Sequence, residues 1–168
     1  VPTMSQQRLA VLRWYSSLRL YFLLSVILIQ VGSYMLGYSL ILPRSYLTML
    51  SSEAEEAASM PFLDRLISGL VGLAIAYIPY VGIGWMSYNL INVGEIGLIS
   101  PLQSIVQLFY LVILTAFPIV DGTLITTVVA VSRVNKVQLP SGFLRTALTQ
   151  YAVSIGISLI LFIILISL

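Results

Sequence analysis

Cysteine and histidine are both absent from this chain. Their absence excludes more chemistry than any residue present implies. Without thiols there is no disulfide, no thiolate nucleophile and no Cys/His zinc site. Without imidazole there is no Ser-His-Asp relay and no histidine-ligated haem. Charge is scarce as well. Lys, Arg, Asp and Glu make up 8% of 168 residues, against about 25% in soluble domains. So few charges cannot cover a water-facing surface, and the sequence reads as an integral membrane protein. A net charge of +2 is too small to imply a nucleic-acid partner, and no Gly-rich phosphate loop occurs.

What fills the chain is apolar, 59% of it, gathered into long runs. The runs predict an all-α, polytopic transmembrane helical bundle, a single membrane domain over residues 1–168. Its spans are expected near 20–42, 66–91, 102–131 and 143–167, about four in all. Residues 1–19 carry Arg8, Arg13 and Arg19 around Trp14 and Tyr15. They read as a basic interfacial segment, with Ala10, Val11, Trp14 and Leu18 on one helix side. The most polar stretch is 44–65. There Ser52-Glu53-Ala54-Glu55 fits a capping box, predicting a short surface helix over 53–59. Its acids, Glu53, Glu55 and Glu56, read as a solvated face rather than a cation site. Asn92–Gly97 reads as a loop with Glu95 exposed. Ser100-Pro101-Leu102-Gln103 marks a helix start, with proline at the first helical position.

Polar groups inside the spans are the candidate functional residues. Gln30 would be costly facing lipid, so it should face protein, as interhelical glue or as a ligand. Ser33 and Gly37 offer a close-approach face beside it. Thr146, Gln150, Ser154 and Ser158 recur every four residues down the last span, as a packing seam or a polar wall. Two Pro/Gly interruptions stand out, Pro79–Gly84 and Pro118–Gly122, and each predicts a kink or break.

The stretch Thr115–Thr123 is the centre of this reading. It holds Pro118, Gly122 and Asp121, the one acid of the third run. That run is about 31 residues from Pro101, longer than a bilayer needs, so the third segment should be kinked or re-entrant. Asp-Gly is a common turn pair, which favours Asp121 at a surface turn. If the helix continues instead, Asp121 lies inside the protein and becomes a proton-relay or cation-ligand candidate. Gln30, Gln107 or an arginine would then be its partner. The string Pro118–Gly122 resembles the P-x-x-D-G element of intramembrane metalloproteases, but the histidines that family needs have no counterpart here.

Four spans place both termini inside, following Arg8, Arg13 and Arg19. They also place Arg133, Lys136 and Arg145 outside, against the positive-inside tendency. The function expected from all this is a non-catalytic, multi-pass cell-membrane subunit of a larger complex, respiratory or translocating, holding no cofactor or metal. Its partners would be the lipid bilayer and other membrane subunits, or further copies of itself. The alternative is a small oligomeric ion or solute transporter or channel using Asp121 and the broken helices. The candidate ion, proton or helix-interface residues are Asp121, Gln30, Gln107 and Gln150.

Overall fold

The computed structural model describes the backbone of residues 4–167 and the side chains of residues 13–167. The side chains of Arg8, Ala10 and Val11, expected at the interface, lie outside the described residues. The described chain is all helical: α1 (Met4–Tyr38), α2 (Arg44–Ser59), α3 (Phe62–Ala76), α4 (Val81–Ile96), α5 (Pro101–Val134) and α6 (Phe143–Ser167). Three of these, α1 from Arg13, α5 and α6, are long and apolar enough to cross a membrane. The pair α2–α3 would supply a fourth by composition, but it is bent by 112°.

α5 is the central helix. In its most apolar window 61% is buried, against 22% for α1 and 17% for α6. α1 runs antiparallel to it, joined by side-chain bonds from Arg19 to Asp121, Gln30 to Thr115 and Tyr34 to Ser104. α6 also runs antiparallel to α5, with Tyr151 against Gly122 and Ser158 on Leu114. Its first turn returns to the beginning of α1, where the Phe143 ring lies 5.5 Å from Tyr15.

The second apolar run does not form one span. α3 descends along α6, with Gly69 against Phe162 and Tyr77 against Ser158. α4 then climbs back beside the second half of α1, where Gly37 and Gly94 bring the two backbones together. A Cβ on either glycine would strike the other helix's main chain, so only glycine permits this approach. The cause of the reversal is local. Pro79 has no N–H to continue α3, and Tyr80 takes φ 63° and ψ −44°. The Val81 N–H donates to Pro79 O at 2.8 Å, closing a γ-turn. Residues 62–96 therefore make a helical hairpin that enters and leaves at the same end of the bundle.

This hairpin removes the conflict left by four full crossings. The α5–α6 connection lies at the same end as the start of α1, not opposite it. Six of the eight basic residues gather there: Arg8, Arg13, Arg19, Arg133, Lys136 and Arg145. Five of the six acids, Glu53, Glu55, Glu56, Asp64 and Glu95, belong to the other end. We refer to these as the basic end and the acidic end.

α2 covers the acidic end. It begins directly after Pro43, and Ser52 lies inside it, donating to Met49 O at 2.7 Å. The capping box expected at Ser52 is thus not a helix start, because Pro43 and Arg44 start the helix first. Glu95 is likewise not a loop acid. It belongs to the last turn of α4 and is 6% exposed, because α2 folds over it.

Candidate functional site

α5 passes through Pro118 without turning back, and the reason is chemical rather than local. Proline cannot donate to the carbonyl four residues earlier, that of Leu114. The Ser158 hydroxyl, from α6, donates to that carbonyl instead. Ser158 is in turn bonded to the Tyr77 hydroxyl at 2.6 Å. Tyr151, two turns earlier on α6, donates to Tyr77 O at the end of α3. One face of α6 thus satisfies the groups freed by both proline interruptions, as a span in lipid requires. Of the polar stripe, Ser154 and Ser158 are buried, while Thr146 is exposed and Gln150 half-exposed.

Because α5 continues, Asp121 is not in a surface turn. It is fully buried, and its carboxylate accepts two bonds from Arg19, Nε to Oδ1 at 2.6 Å and Nη2 to Oδ2 at 3.0 Å. Such a fork-to-fork pair is directional as well as strong. The Arg19 side chain is 25% exposed. Its guanidinium stands 5.4 Å from the Phe117 ring centroid, one turn before Asp121. The ring's negative face adds to the charge balance.

The depth of this pair follows from helix lengths. Leu20 to Tyr38 of α1 spans about 28 Å, and Pro101 to Val120 of α5 about 30 Å. Both match a hydrocarbon core of about 30 Å measured from the acidic end. Arg19 and Asp121 therefore share one level across α1 and α5, where a core of that thickness measured from Tyr38 and Pro101 would end. Tyr151 of α6 joins them there through its contact with Gly122. This depth match was available in the sequence, but Arg19 reads there as a topology anchor.

The other candidates do not converge on Asp121. Gln30 donates to Thr115 Oγ1 at 2.9 Å and serves as interhelical glue. Its Oε1 and that of Gln107 are buried without a protein partner. Gln107 lies fourteen residues from Asp121 along α5, about 21 Å away. Gln150 neighbours Tyr151 but has a half-exposed side chain. An arginine is among the partners expected for a buried Asp121, but the sequence does not single out Arg19; it misses Ser158 as the repair of Pro118 and Glu95 as a buried acid. Glu95 accepts a bond from the Tyr46 hydroxyl at 3.2 Å. That bond, and then the carboxylate's charge, pushes the Tyr46 phenol above its ordinary range.

A cavity of about 250 Å³ lies between α2 and the α4–α5 junction, lined by Leu50, Ala54, Glu55, Ile96, Ile99 and Gln103 among others. No family model matches the sequence, and no curated protein and no solved structure matches the chain.

Proposed function

We propose that the protein is a non-catalytic, membrane-embedded subunit that docks its helices against those of a larger membrane complex. The observation that supports this reading is a contrast among its glycines. Gly37, Gly69, Gly82 and Gly94 each meet a backbone or ring where a Cβ would stand. Gly32, Gly72, Gly84 and Gly156 face open space on α1, α3, α4 and α6. A glycine inside a helix costs about 1 kcal/mol against alanine. In lipid the compensation comes from letting another helix approach closely. The accessible surface points the same way: 10687 Å², against about 8,200 Å² for a compact soluble monomer of this mass. The transport alternative loses support from the Arg19 pairing, because both oxygens of Asp121 are engaged.

The test is purification from native membranes in mild detergent, followed by mass spectrometry of the intact assembly. The proposal expects stoichiometric partner chains, lost in Gly32→Leu or Gly156→Leu while the chain itself stays folded. Recovery as a lone monomer from native membranes would overturn it.

A further inference from the structure

We infer that the basic end binds anionic phospholipid headgroups, with Arg13 and Arg145 as the contacting groups. Depth and charge point to this assignment independently of any docking partner. At this end the one acid is Asp121, and its charge is taken up by Arg19. Arg13, Arg133, Lys136 and Arg145 are exposed. None of them forms an ion pair among the described residues.

Position along the helices separates these four cations into two pairs. Arg13 lies six residues before Arg19, and Arg145 six residues before Tyr151. Each is about 9 Å beyond the level of Arg19 and Asp121. The headgroup layer there is about 5–8 Å thick, and an arginine stem is long enough to reach back into it. Arg133 lies twelve residues beyond Asp121, about 18 Å past that level, and Lys136 follows in the connection. This second pair stands in water.

The shallow pair flanks an aromatic junction. Trp14 follows Arg13 directly, and its ring is 6.5 Å from Phe143, two residues before Arg145. Trp14 is 48% exposed, as suits an indole at headgroup depth. Above it, Leu20 and Leu148 are exposed on α1 and α6. They give acyl chains an apolar wall that continues from the cations into the hydrocarbon layer. Charge at the membrane surface and apolar surface directly above it match a phospholipid of negative headgroup.

The full chain is reconstituted in nanodiscs with equal phosphatidylcholine and phosphatidylglycerol, and retained lipids are counted by native mass spectrometry. The wild type is expected to retain phosphatidylglycerol preferentially, by roughly five-fold for each cation near the surface. R13Q/R145Q should bring the ratio close to one, and R133Q/K136Q should leave it near the wild-type value. If R13Q/R145Q does not fold, R145Q alone should lose about half of the preference on a logarithmic scale. An unselective wild type, an unchanged R13Q/R145Q, or equal losses in both double variants would each overturn the assignment.

Discussion

The hydroxyl of Ser158 on α6 occupies the hydrogen-bonding place that Pro118 leaves empty on the carbonyl of Leu114. A helix breaker in the middle of a span is thereby bridged by a residue forty positions away. Ser158→Ala should leave that carbonyl and the Tyr77 hydroxyl without partners, at a cost of about 1–3 kcal/mol. In a Pro118→Ala background the helix regains its own N–H donor, so the same substitution should cost less. A double-mutant cycle on melting temperature in detergent reads the difference. Equal costs in both backgrounds would show that Ser158 does not repair Pro118.

The Arg19–Asp121 pair should respond asymmetrically. Arg19→Gln leaves a fully buried carboxylate without a cation, at roughly 3–5 kcal/mol. Asp121→Asn leaves an arginine whose side chain is 25% exposed. Its head can turn toward water, so the loss should be smaller, about 1–3 kcal/mol. Replacing both with apolar residues, Arg19→Met with Asp121→Leu, should recover most of the stability. Thermal unfolding of the four proteins checks the order.

The glycines separate packing from propensity. Gly94→Ala would drive a methyl group into the carbonyl of Tyr34. It should destabilise by about 1–3 kcal/mol or more, as overpacking does. Gly32→Ala meets nothing within 4 Å and should stabilise the isolated chain by about 0.5–1 kcal/mol through helix propensity. Opposite shifts in melting temperature are the expected result.

The regions legible in the sequence were those governed by local signals. Apolar run length located α1, α5 and α6, and Pro101 began α5 at the position its Ser-Pro pair indicates. Ser100 occupies the cap position, although its side chain makes no capping bond. The unread parts depend on distant partners. The Asp121-Gly122 pair looks like a turn until Arg19, 102 residues away, neutralises the acid. Glu95 looks exposed until Tyr46 covers it. Pro79 and Pro118 look equivalent in the sequence. One reverses the chain through the γ-turn at Tyr80. The other is spliced into a continuous helix by Ser158.

The central claim is that residues 62–96 return to the end they came from, so that the start of α1 and the α5–α6 connection share one face of the membrane. Because the chain has no cysteine, single cysteines report sidedness without background. Ser16→Cys, Ser52→Cys and Lys136→Cys replace exposed residues at the start of α1, in α2 and in the α5–α6 connection. Labelled with a membrane-impermeant maleimide in sealed vesicles, positions 16 and 136 should react from one face and position 52 from the other. Labelling of position 136 together with position 52 would contradict the account.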